Sequence, residues 1–288
     1  MYDVVVLVVA DRDRPSGLRA PVRACLDALV AAGARPEPVT ATSDQEIDQV
    51  VAGLAGGELR LVVAAAVDGQ LRAVVRRIVR WYAPPPSRRP ADLPAHRTVP
   101  DLPPLAVLPL APAGTPTGDL AGQLGLPREP AAVAAAALGD RFRRLDLLRQ
   151  DGGSVTLDGV LLGGSDEAGR ARPWRARIEV DDAVLSTGDE PLLAAVVANA
   201  GGHLRPDGLP LVVGADPADG VVEAAVAVPV RTRWRHKVRV EVRRGRGRAV
   251  LVRPAGDGVP CLDDGVAGEL TRQRSWWIEP AAWAVYTA

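Results

Sequence analysis

The chain has 288 residues, and its 35 Lys plus Arg are balanced by 35 Asp plus Glu, so charge gives no case for a nucleic-acid partner. With 47% apolar and 24% charged residues it reads as globular rather than disordered, and it is long enough for two cores of ordinary size. Its two cysteines, Cys25 and Cys261, lie far apart and match no metal or redox spacing, so a soluble, reduced, cytoplasmic protein is the expectation. Val4 to Ala10 is a continuous apolar, β-branched run. No basic residue precedes it and it stops at Asp11, so it reads as a buried strand and not as a signal peptide. Leu18 to Ala32 follows as a helix ending at Gly33, and Pro36 to Thr40 as a second strand. Ser43-Asp44-Gln45-Glu46 is a capping box, opening a helix whose apolar face is Ile47, Val50, Val51 and Leu54. Leu59 to Ala66 is a third strand and Leu71 to Trp81 a third helix. Strand and helix thus alternate over the first 82 residues, the pattern of a mostly parallel, doubly wound sheet.

Residues 83–104 carry many prolines among basic and polar residues and read as an extended loop, either a surface excursion or a ligand for a partner domain. Leu105 to Leu110 is a further strand, with short helices at Gly118 to Leu124 and Glu129 to Leu138. Beyond Asp140 helical periodicity gives way to short strands: Phe142–Leu148, Ser154–Leu162, Trp174–Val180, Leu192–Asn199, Val221–Val228, His236–Val242, Ala249–Val252 and Trp276–Glu279. Strands without intervening helices imply an all-β, sandwich-like domain. The expected organisation is an α/β domain over residues 1–128 and a β-sandwich-like domain over 129–288. No stretch approaches the roughly 18 apolar residues of a membrane helix.

The sequence holds no phosphate-cradling G-x-x-x-x-G-K-[ST], no strand-borne G-x-G-x-x-G and no nucleophile-elbow pattern, and its three histidines show no ligand spacing. The informative segment is Leu61 to Leu71, with Ala66-Val67-Asp68-Gly69-Gln70 at a strand-to-helix turn. It resembles the strand–G-G-D-G-T–helix element of the diacylglycerol kinase, sphingosine kinase and NAD kinase superfamily. Further segments resemble that family in order. Pro15-Ser16-Gly17 sits where it has N-P-x-S-G; Leu108-Pro109-Leu110, Gly114-Thr115 and Gly118-Asp119-Leu120-Ala121 follow its P-L-G-T-x-N-D-F-A; Leu124-Gly125-Leu126-Pro127 is similar to its L-G-I-P. Arg144-Leu145-Asp146-Leu147, Val196 to Asn199, Asp216 to Gly220 and Asp264-Gly265 resemble later landmarks. The resemblance spans nearly the whole chain and favours the lipid-kinase branch.

That resemblance implies ATP and Mg²⁺ as cofactors. Ser16, Gly17, Asp68, Gly69, Gly114 and Thr115 would hold the nucleotide, Asp68 and Asp119 the metal, and Asp264 would be the general base on a lipid hydroxyl. It also implies a lipid substrate met at a membrane surface and a homodimer. The departures are equally specific. Ala66 and Val67 stand where the family has glycines that let backbone approach phosphate, Gln70 where it has a hydroxyl, and Arg72 where it has Asn. The family's two asparagines fall on Asp13 and Gly118, and the Glu beside its base falls on Val266.

Each site residue also has a plainer reading from its type alone. Asp68-Gly69 and Asp264-Gly265 are good turn dipeptides, Asp119 suits a helix start, and Arg72 suits a solvated helix face. Between Leu162 and Trp174 a loop replaces the family's helical excursion on the lipid-facing side, and the loop over 83–104 is longer than usual. The dense arginines of Arg231 to Arg248 read as a solvated strand face or as a surface for anionic lipid, and the adjacent Trp276 and Trp277 must point oppositely. Two functions stay open: an ATP-dependent lipid kinase with a degenerate phosphate motif, and a non-catalytic relative that binds a ligand, lipid or partner.

Overall fold

The structure is a computed structural model and describes residues 2–10, 18–57, 59–115, 119–200, 210–231, 238–256 and 258–288. It divides into two compact units, Met1–Leu145 with Ala281–Ala288, and Asp146–Pro280. The expected boundary at 128/129 is therefore displaced, and the C-terminal eight residues return to the first unit.

The first unit runs β1 (Asp3–Val9), α1 (Ala20–Ala31), β2 (Arg35–Ala41), α2 (Asp44–Gly53), β3 (Leu59–Ala65), α3 (Asp68–Tyr82), β4 (Pro104–Pro109), α4 (Leu120–Gln123) and α5 (Pro130–Leu138). Its strands pair in parallel in the order β2-β1-β3-β4, and Ala284 and Val285 add a parallel neighbour to β4. Val4, Val6 and Val8 of β1 pack on Val22, Cys25 and Leu29 of α1 and on Val133, Ala134 and Ala137 of α5. That packing explains the displaced boundary, because α5 completes the core of the first unit. Leu7, Leu61 and Val63 point the other way and are equally buried, beside α2 and α3, which pack on each other. Each such large apolar side chain contributes roughly 1.5–3 kcal/mol by leaving water.

Local signals place the helices. In α2 the Ser43 hydroxyl accepts the Glu46 amide at 3.4 Å while Glu46 reaches back to the amides of Thr42 and Ser43 at 2.6 and 3.1 Å. Helix α3 begins at Asp68, a turn earlier than apolar periodicity indicates, and buries Leu71, Val74, Val75, Ile78 and Val79 along one stripe. Residues 83–103 hold one short 3₁₀ turn and are otherwise loop, pinned by buried Val99 and by the Leu102 amide, which donates to Ala282 O at 2.9 Å. On β2 the Arg35 amide donates to Tyr2 and the Ala41 carbonyl accepts from Ala10, so odd positions bond to β1 and Pro36 and Pro38 alternate with them.

A strand β5 (Phe142–Gln150) crosses from the first unit into the second. There the chain forms β6 (Val155–Thr156), β7 (Gly159–Leu162), β8 (Gly164–Ser165), β9 (Ala171–Arg172), β10 (Ala176–Val180), β11 (Ala183–Thr187) and β12 (Ala194–Ala198). It continues through β13 (Val222–Arg231), β14 (Val238–Gly247), β15 (Ala249–Pro254), β16 (Val259–Asp263), β17 (Val266–Leu270) and β18 (Arg274–Tyr286), which re-enters the first unit at Ala281. One layer is β14-β13-β12-β7-β16-β17 and the other β11-β10-β15-β18, with antiparallel pairing throughout. Leu162, Val197, Ala224 and Val226 of the first layer meet Ile178, Val250, Val252, Trp276 and Ile278 of the second in one core. The β-sandwich expected from the sequence is therefore present.

Two expectations about this unit change in detail. Trp276 is buried, and Trp277 is half-buried with its indole N–H donated to Glu279 at 3.0 Å, so neither offers an open aromatic face. Three of the described arginines of the basic stretch are engaged: Arg243 by Glu190 and Glu241, Arg244 by the carbonyls of Pro210 and Leu211, Arg246 by Asp219 and Glu223. Residues 232–237 of that stretch lie outside the described residues.

Candidate functional site

The turn from β3 into α3 is where the sequence points, and its geometry is self-contained. Val67 is the N-cap residue, in extended conformation (φ −143°, ψ 153°), with no side chain to satisfy the amides of the first turn. Gln70 reaches back past the cap: its Oε1 accepts the amide of Ala66, just before the helix, at 2.7 Å. Asp68, the first helical residue, is buried and accepts the Leu120 amide at 3.2 Å on both carboxylate oxygens. Gly69 is buried just behind it.

Asp119 caps α4 by accepting the Gly122 amide at 3.0 Å. It also accepts the Gly114 amide at 2.8 Å and one Arg128 nitrogen at 2.5 Å. A second Arg128 nitrogen donates to Ala111 O at 2.6 Å, which fixes the guanidinium in place. Burial raises the Asp119 pKa, but the Gly114 amide, the Arg128 guanidinium and the Gly122 amide outweigh it, and the carboxyl ends below its ordinary value. Gly114 holds a left-handed backbone (φ 71°), and the Thr115 hydroxyl donates to Pro112 O at 2.7 Å. The structure thus brings Asp68, Gly114 and Asp119 together, with Thr115 beside them. Ser16 and Gly17 lie outside the described residues. Arg72 is half-buried on α3.

Asp264 belongs to the second unit. It is fully buried, with its carboxylate accepting the amides of Leu157, Asp158 and Gly159 at 2.8, 2.9 and 3.1 Å. With φ 47° at Asp264 and 78° at Gly265 it forms the two-residue turn between β16 and β17. The other landmarks of this unit meet the same network. Asn199 donates to the carbonyls of Asp146 and Leu157 at 2.9 and 2.8 Å, and Asp146 accepts the Gly220 amide at 2.6 Å. Three amide bonds fix the carboxylate in place. The geometry describes a latch that holds loops.

No family model matches the sequence, and no curated protein is detectably similar to it. Solved structures do match. A diacylglycerol kinase from Bacillus anthracis str. Sterne aligns over 99% of this chain and 96% of its own, with 12% identity and a TM-score of 0.65. Two further structures from that organism, bearing the same enzyme name, align with 12% and 13% identity, 99% of this chain, 96% and 97% of their own, and a TM-score of 0.66. The chain has a diacylglycerol-kinase-like fold. At such identity the likeness speaks for the fold and leaves the chemistry to the residues.

Those residues do not fit Mg²⁺–ATP in the arrangement described. The pocket lined by Ala66, Val67, Asp68, Asp119 and Arg128 has a volume of about 20 Å³. That is room for about one water, whereas ligand sites take roughly 300–1,000 Å³. The Ala66 amide is spent on Gln70, and Asp119 already accepts three donors, one of them a guanidinium that occupies a cation's place. Among the described residues no group of three or more His, Cys, Asp or Glu could hold a metal ion. Arg128 and the inward reach of Gln70 went unread in the sequence. The signal for Arg128 is its place one residue past Leu124-Gly125-Leu126-Pro127.

Proposed function

We propose that this chain is a ligand-binding protein built on the diacylglycerol-kinase-like fold, in which the phosphoryl-transfer turn has become a structural joint. The observation that carries this reading is the 2.7 Å bond from the Ala66 amide to Gln70: a backbone donor of the turn where the family has its phosphate-approaching glycines is satisfied by the chain itself. The Arg128–Asp119 pair supports it, because a carboxylate neutralised by a guanidinium is a poor ligand for a divalent cation. On this reading the protein works in a reducing compartment, where Cys25 and Cys261 stay thiols. Burial pushes the Cys25 thiol up to about 11, so it is inert there. No helix among the described residues is long and apolar enough to cross a membrane, so contact with lipid would be peripheral on this reading.

A second reading is favoured by one specific feature: Asp68 and Asp119 line the same pocket, as the two acids of an ATP- and Mg²⁺-dependent lipid kinase would. The fold of the Bacillus anthracis enzyme makes both cofactors reasonable candidates. Two measurements separate the readings. Thermal unfolding with and without millimolar Mg²⁺–ATP is expected to give the same midpoint, since only a ligand of the native state raises it. Labelled ATP with diacylglycerol is expected to leave the lipid unlabelled. Label transfer that disappears in Asp68→Asn would overturn the proposal in favour of the kinase.

A further inference from the structure

In the first unit, charge and burial are mismatched where the loop over residues 83–103 meets β5. The loop is anchored there by Val99 and Leu102, both buried, and the residues around those anchors are held with them. The Arg97 amide donates to Pro94 O at 2.8 Å in a turn, and the Arg97 guanidinium reaches forward to Asp101, Nη1 to Oδ1 at 2.7 Å. Arg144 comes from β5, on the face it shares with Phe142, and its Nε lies 3.2 Å from the other carboxylate oxygen of Asp101. Its guanidinium also lies over the Phe142 ring, 5.5 Å from the centroid. One carboxylate thus serves two guanidiniums, and among the described residues neither has a second acid.

The exposures of the three side chains are unequal. Arg97 is 11% exposed and Arg144 28%, whereas Asp101 is 53% exposed. The positive charge is therefore inside and its partner stands on the open side. Three nitrogens of the pair, Arg97 Nε and Nη2 and Arg144 Nη1, are buried and have no acceptor. Nε and Nη2 together form the edge of a guanidinium whose two parallel N–H groups take an oxyanion bidentately, and on Arg97 that whole edge is unused. Buried charge is stable when it is paired and hydrogen-bonded, and here one unit of positive charge is left over. Water would supply lone pairs but no charge. Asp101 cannot supply the rest, because both its oxygens are already engaged. A tetrahedral oxyanion presents up to four acceptors in four directions and neutralises the excess. Asp101 is the group that such an ion displaces, and rotation of its side chain into solvent opens the way.

We propose that Arg97 and Arg144 form a binding site for a small oxyanion of the phosphate or sulfate type, with Asp101 as a built-in competitor. The free edge of Arg97 holds two oxygens and Arg144 Nη1 a third. With the site empty, Asp101 clips the loop to β5; with it filled, the ion bridges the same two arginines. The site lies within the first unit and shares no residue with the pocket beside Asp68. It goes beyond the ligand-binding reading, which concerns the phosphoryl-transfer turn.

The test is thermal unfolding of the full chain over a series of sodium phosphate concentrations, against sodium chloride at equal ionic strength. Screening is then matched, and only a ligand of the native state raises the midpoint. Phosphate is expected to raise it and chloride to leave it lower. Asp101→Asn removes the competitor and is expected to tighten phosphate binding by about tenfold, the size of one good charge-assisted contact. Arg97→Gln with Arg144→Gln is expected to abolish the difference between the salts. A gain of affinity does not arise from a damaged fold, so Asp101→Asn decides the matter even where the double variant unfolds. Phosphate binding in Asp101→Asn no tighter than in the parent, or a double variant that responds like the parent, would overturn the site. Methyl phosphate run in parallel names the source: binding like phosphate admits esters, and loss of binding restricts the site to the free ion. Failure here is separable from failure of the ligand-binding reading. A midpoint shift by Mg²⁺–ATP that survives in the double variant belongs to the turn at Asp68 and counts against that reading, whereas one that disappears there belongs to the arginine pair.

Discussion

Asp68-Gly69 in the first unit and Asp264-Gly265 in the second are the same dipeptide at the end of an apolar strand, yet the backbone uses them in opposite ways. Asp68 has an ordinary helical backbone and sends its carboxylate across to one amide of a neighbouring segment, Leu120. Asp264 and Gly265 are both left-handed, and that turn folds the carboxylate inward onto three consecutive amides. The dipeptide thus marks a turn in both places, while the sign of φ decides whether the acid joins segments or staples a loop. A family motif read as letters cannot carry that sign.

The comparison can be broken most directly at Asp264. Asp264→Ala strands three buried donors and puts alanine in a left-handed turn, so a loss of about 3–5 kcal/mol is expected in urea unfolding. Asp264→Asn keeps one acceptor and tolerates the backbone, and should lose about half as much. If both unfold at the parent's urea midpoint, the latch does not exist. Asp119→Ala comes next, with about 2 kcal/mol expected from the lost cap and the half-screened Arg128 pair. The Asp119 pKa is depressed in the folded protein, so its contribution is fully present above the unfolded value. It is lost as pH falls through the folded one. Parent and Asp119→Ala should therefore converge in stability below about pH 4, the ordinary aspartate range; a constant gap down to pH 2 would contradict the ion-pair account. Smallest is Asp68→Asn, at about 1 kcal/mol or less, because an amide oxygen still accepts from Leu120. A larger loss there than at Asp119 would reverse the ranking of the two acids.

Much of the first unit was legible because its signals are local. The apolar run of β1 and the Ser43–Glu46 box need no tertiary knowledge, and both stand as read. The start of α3 was not legible. Val67 caps without a side-chain bond, so apolar periodicity began the helix only at Leu71. In the second unit β16 and β17 escaped notice as strands, since Val-Pro-Cys-Leu-Asp and Val-Ala-Gly-Glu-Leu lack apolar alternation. β17 is exposed over four of its five residues, so no burial had shaped it. At the candidate site Asp68, Gly114 and Asp119 could be picked out through family order. What they touch could not, because Gln70 and Arg128 act through side-chain reach that spacing along the chain does not encode.

The two prolines of β2 have a consequence for association. β2 is the outermost strand of the first unit's sheet, and the positions that would face an added strand include 36 and 38. Proline has no N–H to offer there, so an incoming strand would find carbonyls but miss two successive donors. The border is a stop against sheet growth and against the edge-to-edge aggregation that exposed strands invite. A homodimer formed by strand addition would therefore have to use some other edge of the molecule.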